Sequence, residues 1–104
     1  MNRERLQSFL HLIKRSGVIM LGADYLTVSH LPRIHIVLVS DEISDQSRAL
    51  VTNFTTRHNI RRYDVPANII VSLYPGKNVK VLVITSRESA KKIANLMKEG
   101  DPYE

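Results

Sequence analysis

Hydrophobic residues at helical spacing mark a helix near each end of the chain. Near the start, the apolar positions recur at i, i+3, i+4 and i+7: Leu6, Phe9, Leu10 and Ile13. This spacing predicts an amphipathic helix with one face in a core, stopped by Gly17. Ser86 precedes a second helix, which we expect to end at Gly100 and Pro102. Its predicted inward face comprises Ala90, Ile93, Ala94 and Met97.

Four apolar runs between these helices predict strands: "VIML" (18–21), "RIHIVLVS" (33–40), "IRRYDV" (60–65) and "VKVLVIT" (79–85). The second and fourth runs are almost continuously apolar, which is typical of strands covered on both faces. We therefore expect 34–39 and 79–84 to be central and adjacent in one sheet. The third run carries basic residues and is expected nearer an edge.

Further helices are predicted between the strands. Gly22 leads into "ADYLTVSHL" (23–31), a weak helix that Pro32 would end. Another begins at Asp41 or Ser44 and runs to about His58. Its inward residues would be Leu50, Val51 and Phe54. Pro66 opens a helical turn or short helix in "PANIIVSL", and "YPGKN" (74–78) is a turn.

Alternating helices and strands predict an α/β fold with helices on both faces of the sheet. We expect a three-layer α/β/α sandwich with a mixed four-stranded sheet. The length of 104 residues suits a single domain, 1–104, with 101–104 as a flexible tail.

Composition adds a polyanion as a candidate partner. The formal net charge is +5 and the sequence pI is about 9.8, which favours contact with phosphates. Most of the cationic excess lies in the second half of the chain. There is no cysteine, and no apolar run approaches the ~20 residues of a membrane span. We expect a cytoplasmic domain with no membrane partner.

Catalytic and cofactor motifs are absent from the sequence. There is no glycine-rich nucleotide loop, and the histidines (His11, His30, His35 and His58) have no metal-ligand spacing. His35 is most simply a histidine packed within its strand. We therefore expect no catalytic residue, metal or cofactor. Asp41 and Glu42 follow a buried strand, where α/β sheets bind ligands, but helix capping is the simpler explanation because no nucleophile with a base lies nearby in sequence.

The segment "RHNIRRYDV" (57–65) supports two interpretations. Arg57, Arg61 and Arg62 form a secondary basic patch that contacts phosphates, with Tyr63 stacking on an unpaired base. Alternatively, the segment is an edge strand whose charges prevent aggregation. The lysines and arginine of "SRESAKKIANLMK" (86–98) are those of an ordinary solvated helix face.

The order of elements resembles a known family over residues 4–98. A helix ending in "RSG", a glycine-led helix, a strand ending in "VSDEIS", a strand ending in "VP" and "VKVLVIT" before an amphipathic helix resemble the ribosomal L-seven-Ae and L-thirty-e family. The resemblance is greatest to its short bacterial members. It implies an α/β/α protein that binds structured RNA, with the RNA kink-turn as the family's ligand and ribosomal RNA as one candidate source.

The resemblance also implies where RNA would bind. The family motif is Gly, any residue, Asn, Glu, two residues and Lys; here Gly22 matches, while Asp24, Tyr25 and Val28 stand at the Asn, Glu and Lys positions. An aspartate accepts hydrogen bonds but does not donate them, so we expect low specificity. RNA would meet the end formed by 22–27, 40–44 and 75–78. The implied RNA-binding residues are Lys14, Arg15, Gly22, Asp24, Tyr25, Thr27, Lys77 and Asn78.

The sequence thus favours a non-enzymatic RNA-binding or ribosome-associated protein with a degenerate recognition helix. The first alternative is a protein-interaction module that kept the fold and lost RNA binding. The second is a small-ligand or enzyme domain that uses "VSDE" (39–42).

Overall fold

The protein contains a mixed four-stranded sheet in the order β1-β4-β2-β3. The computed structural model describes residues 1–99, so the predicted helix stop at Gly100 and Pro102 and the predicted tail at 101–104 lie outside the described residues. The strands are β1 (Ile19–Leu21), β2 (Ile36–Ser40), β3 (Arg61–Val65) and β4 (Val81–Ile84). β2 and β3 are parallel, and β4 is antiparallel to both of its neighbours.

The two most apolar strands form the centre of the sheet, as predicted. β2 and β4 pair from Ile36 opposite Ile84 to Val39 opposite Val81, and every residue of both strands is buried. The strand with basic residues, β3, lies at an edge, also as predicted. Continuous burial of β2 and β4 requires a helical layer on each face of the sheet.

Helices supply those two layers, which confirms the predicted α/β/α sandwich. The α-helices are α1 (Arg3–Lys14), α2 (Asp45–Arg57), α3 (Ala67–Leu73) and α4 (Arg87–Lys98). Leu38 and Leu82 point into a core formed with α1, α3 and α4. Val37 and Val83 point into a second core, formed with α2 and the segment between β1 and β2. The alternation of side chains along each strand separates the two cores.

Side-chain caps define where three helices begin. Asn2, Ser44 and Ser86 each accept a hydrogen bond from the backbone N–H three residues on, which satisfies a donor that the first turn leaves free. Ser44 rather than Asp41 caps α2.

The glycine-led helix predicted at 23–31 is wrong as an α-helix. The segment forms two 3₁₀ helices, Ala23–Tyr25 and Val28–Arg33, and Pro32 lies inside the second instead of ending it. Between them Thr27 is extended, with φ −129° and ψ 157°. Tyr25, Thr27 and Val28 are aromatic or β-branched, and such residues lose side-chain entropy in an α-helix. Their low helix propensity does not offset the unfavourable free energy of helix nucleation.

Several predicted core positions also differ. Leu50 is 64% exposed, whereas Val51 is buried as predicted and Thr55 is buried as well. Thr55 is tolerated there because its hydroxyl donates to the carbonyl oxygen of Val51. On α4, Leu96 is fully buried whereas Met97 is half-buried. Phe9, on α1, is likewise half-buried, although it packs against the core.

The sheet has two chemically different ends. Because β1, β2 and β3 run in one direction and β4 in the other, Gly22, Asp41, Pro66 and Lys80 lie together at what we call the Gly22 end. The other end, which we call the His35 end, contains the start of β2 and β3 and the end of β4. The helix α4 begins at the His35 end, and α1 and α2 lead into it. Within residues 1–99, no helix has the length and apolar character needed to cross a membrane.

Truncating a core residue of α1 should destabilise the protein. We expect Leu10→Ala to lower the free energy of unfolding by about 2–5 kcal/mol, because Leu10 is fully buried and its removal leaves a cavity. Leu12→Ala is the matched control: Leu12 lies on the same helix but is 68% exposed, so a change within about 0.5 kcal/mol is expected. Urea denaturation followed by circular dichroism measures both. Equal losses of stability in the two variants would contradict the burial of Leu10.

Candidate nucleic-acid interface

The backbone N–H of Gly22 is not available to a ligand. It donates to the carbonyl oxygen of Val81 at 2.9 Å, which extends the β1–β4 pairing by one residue. Gly22 has φ 90° and ψ 158°, a conformation that is essentially restricted to glycine. Gly22 therefore turns the chain out of β1, and its N–H belongs to the sheet instead of to the RNA site that the resemblance implied.

Tyr25 is held inside the segment that follows. Its ring stacks on His30 with centroids 3.9 Å apart and packs against the second core. His30 Nδ1 also lies 3.0 Å from the Tyr25 carbonyl oxygen and 3.0 Å from Thr27 Oγ1. Among the described residues, the Tyr25 hydroxyl is buried without a hydrogen-bond partner. Tyr25 and Thr27 thus stabilise this segment, and the Tyr25 ring is not presented to a base.

A shallow cleft of about 370 Å³ lies at the Gly22 end. Gly22, Asn78 and Lys80 line it together with Ile43 and Ser47. The three regions that the resemblance implied therefore meet, since 22–23, 43 and 78 share this cleft. Lys77 is exposed in the neighbouring turn but does not line it. Asp24 is exposed in the same 3₁₀ helix as Ala23.

The paired carboxylates at the end of β2 have separate roles. Asp41 Oδ1 accepts a hydrogen bond from the Ala67 backbone N–H at 3.0 Å. Asp41 therefore caps α3, whose own preceding residue is Pro66 and makes no side-chain cap. Glu42 is exposed, and its carboxylate makes no ion pair with a residue of the described chain. Capping thus accounts for Asp41, but the helix that it caps is α3, whereas Asp41 was predicted at the start of α2.

Lys14 and Arg15 lie away from Gly22. They occupy the end of α1, which precedes β1, whereas Gly22 follows β1. The Lys14 ammonium donates to the Leu73 carbonyl oxygen and sits 4.5 Å from the Tyr74 ring centroid. Burial raises the pKa of the Tyr74 hydroxyl above its usual value. Lys14 therefore binds the C-terminal end of α3, and Arg15 is exposed.

The predicted basic patch of Arg57, Arg61 and Arg62 is not a single surface. Neighbouring residues of a strand point to opposite faces, so Arg61 and Arg62 diverge. Arg62 donates to Thr55 Oγ1 at 3.2 Å, on the α2 side of the sheet. Arg57 and Arg61 are both exposed near the His35 end.

Exposed cations concentrate at the His35 end. They come from the ends of α1 and α2, the second 3₁₀ helix, the start of β3 and the start of α4: Arg15, Arg33, Arg57, Arg61, Arg87 and Lys91. Among residues 1–99, Glu88 is the carboxylate at this end. The other described carboxylates lie toward the Gly22 end: Glu4, Asp24, Asp41, Glu42, Asp45, Asp64 and Glu99.

Ion pairing strengthens this contrast. The two salt bridges between described residues, Arg5–Glu99 at 2.7 Å and Arg48–Asp64 at 2.9 Å, both involve carboxylates outside the His35 end. In the part of the chain that the structure describes, no cation of the His35 end is paired with a carboxylate within 4.0 Å. The end opposite Gly22 therefore presents the greater density of free positive charge.

A second cleft lies within this basic end. It has a volume of about 210 Å³ and is lined by His35, Ile36, Arg61, Arg87, Ala90 and Lys91. His35 lies one residue before β2 rather than inside it. Sequence reasoning treated His35 as a packed residue and Arg87 and Lys91 as a solvated helix face. The sequence contained one signal: His35 and Arg61 lie near the starts of predicted strands, and Arg87 lies at the start of a predicted helix.

Comparison with known proteins establishes the fold alone. No protein-family model matches the chain, and no curated protein matches it. A solved structure described as a protein with unknown function from Bacillus halodurans is similar, with a TM-score of 0.80. The match covers 90% of this chain and 97% of that one at 15% sequence identity. Among residues 1–99, no three or more histidine or acidic side chains come together as a metal site.

Replacement of Gly22 should destabilise the protein through its backbone. We expect Gly22→Ala to cost about 1–3 kcal/mol, because alanine is strained at φ 90° although its Cβ would meet no atom within 4 Å. Asp24→Ala, in the exposed turn that follows, is the control and should change stability by less than about 0.5 kcal/mol. Chemical denaturation measures both variants. A neutral Gly22→Ala would show that this turn relaxes freely.

Loss of the Asp41 carboxylate should uncap α3. We expect Asp41→Ala to reduce the free energy of unfolding by about 1 kcal/mol, the usual cost of removing a capping side chain. The neighbouring Glu42→Ala removes an equal charge without a capping bond and should be within about 0.5 kcal/mol of the parent. Denaturation at neutral pH compares the two. Similar effects would mean that charge, and not the bond to Ala67, matters at this position.

Proposed function

We propose that this protein is a non-enzymatic RNA-binding protein that meets the RNA backbone with its His35 end. The observation that carries the proposal is the separation of charge along the sheet: most of the exposed cations that make no ion pair with a described residue lie at the His35 end, and nearly all described carboxylates lie away from it. A surface of this kind attracts a polyanion and orients it before contact.

Phosphate contacts explain the number and type of these side chains. Arginine binds a phosphate through two parallel N–H groups, and five of the exposed cations at the His35 end are arginines: Arg15, Arg33, Arg57, Arg61 and Arg87. They come from several different elements, so their spacing is fixed by the fold. Such contacts position a nucleic acid without reading its sequence.

The sequence resemblance to the L-seven-Ae and L-thirty-e family supports RNA as the polyanion, with ribosome association as one setting. That resemblance favoured the Gly22 end. Three observations weigh against a phosphate there: the Gly22 N–H is already bonded, Tyr25 is packed, and Asp24 adds negative charge. We therefore place the main RNA contact at the opposite end.

A protein partner at the Gly22 end is a second candidate. The Gly22 cleft has apolar as well as polar walls, and Leu21, Ile43 and Val79 are among the residues that line it. A mixed surface of this kind suits contact with a protein better than contact with phosphates. This interaction would be largely independent of salt concentration.

The dependence of binding on salt tests the RNA proposal. We expect the affinity for a structured RNA to fall about tenfold or more between 50 and 200 mM salt, because several phosphates are neutralised. The double variant Arg15→Gln, Arg57→Gln should reduce the slope of log affinity against log salt by about two. Fluorescence anisotropy at several salt concentrations measures the slope.

The double variant Lys77→Gln, Lys80→Gln is the matched control, since it removes two positive charges from the Gly22 end. It should change the slope by less than about half a unit. A larger effect of this control than of the Arg15 and Arg57 variant would return the site to the Gly22 end. Absence of salt-dependent RNA binding by the parent protein would favour the protein-partner alternative.

A further inference from the structure

The cleft at the His35 end combines basic side chains from three separate elements. Arg61 is the first residue of β3, and it pairs with Ile36, the first residue of β2. Arg87 and Lys91 are four residues apart on α4 and therefore share one face of that helix. His35 approaches from the loop before β2. The cleft is thus bounded by the sheet on one side and by the first turns of α4 on the other.

Arg61 points into this cleft because of the strand's alternation. Val65 lies in the core beneath α4, and Tyr63 packs against the same core. Since Arg61, Tyr63 and Val65 share one face of β3, Arg61 also lies on the α4 side. Ala90, which is nearly buried, is the small residue between Arg87 and Lys91 in the wall of the cleft. Its lack of a long side chain leaves the space open.

The cleft gathers positive charge at the start of a helix. Arg87 is the first residue of α4, where a cation opposes the helix dipole. Arg61 and Lys91 add two more cationic side chains to the lining. Glu88 lies at i−3 to Lys91, yet it makes no ion pair with Lys91 within the described residues. An anion in the cleft would balance these positive charges.

We infer that the cleft lined by His35, Arg61, Arg87 and Lys91 is a binding site for a single phosphate group of the RNA backbone. This inference rests on the proposed function and adds the point at which the RNA is anchored. A volume of about 210 Å³ is several times the roughly 30 Å³ that one water occupies in the liquid, so a tetrahedral phosphate fits. The guanidinium groups supply paired donors and the lysine a point charge.

Two adjacent lysines of α4 provide a matched test. Both Lys91 and Lys92 are exposed on the same helix, but only Lys91 lines the cleft. Lys91→Gln should lower the affinity for a structured RNA about 5- to 10-fold and reduce the salt slope by about one. Lys92→Gln should lower the affinity less than about twofold, and both variants should unfold at the same midpoint. Equal losses of affinity would overturn the cleft while leaving the proposed function intact.

A double-mutant cycle tests whether one phosphate is shared. If Arg61 and Lys91 hold the same group, the combined loss in Arg61→Gln, Lys91→Gln should differ from the product of the single losses by at least about twofold. Arg61→Gln combined with Lys92→Gln should be multiplicative. Multiplicative losses in both pairs would contradict a shared phosphate.

Titration with inorganic phosphate separates the two proposals if the parent protein binds no RNA. In that case the proposed function is wrong, and the His35 ring resonances report on the cleft alone. A saturable shift with a midpoint below about 10 mM, lost in Arg61→Gln, Lys91→Gln, would support a phosphate site. Failure to saturate in that range would overturn it.

Discussion

The antiparallel pairing of β2 with β4 is the constraint on which the rest of the structure depends. Both strands are buried throughout, so neither face of the central ladder tolerates water. The apolar side chains that alternate along them need a covering layer on each side. Helices α1, α3 and α4 cover one face, and α2 with the segment between β1 and β2 covers the other. The pairing also sets strand direction, and direction decides which loops share an end of the sheet. The contrast between the Gly22 end and the His35 end follows from this arrangement.

The two ends of the sheet differ in whether their polar side chains and backbone groups are bonded within the protein. At the Gly22 end, the groups that could face a ligand are engaged within the protein: the Gly22 N–H in the sheet, the Tyr25 ring on His30 and the Asp41 carboxylate on α3. At the His35 end, arginines and Lys91 are exposed and have no acidic partner in the described chain. Polar groups at the Gly22 end are bonded within the protein, whereas the cations at the His35 end are not paired with a described carboxylate. The His35 end is therefore the better surface for an anionic ligand.

The sequence predicted the elements that depend on strong patterns. The apolar runs at 34–39 and 79–84 became the central pair, and Ser44 and Ser86 became caps, because burial and capping are decided locally. The segment 23–31 was mispredicted because its weak helical preference competes with the geometry set by Gly22 and Thr27. Leu50 was predicted to face inward because it is apolar and lies beside Val51. The face of α2 that meets the sheet is instead the one that carries Val51 and Thr55, four residues apart, and Leu50 lies outside it. The His35 cleft was not predicted, since its residues lie far apart in sequence and meet only through strand order.

The bond from Asp41 to the start of α3 has a consequence for the stability of that helix. α3 has seven residues, fewer than the roughly 12–15 that an isolated helix needs to persist in water. Its N-terminal cap comes from a residue 26 positions earlier in the chain, at the end of β2. That carboxylate reaches Ala67 only when β2 and β3 are already side by side, since β3 leads directly into α3. The cap on α3 therefore depends on the pairing of the two parallel strands, and the amide protons of α3 should be protected from exchange only while that pairing is present.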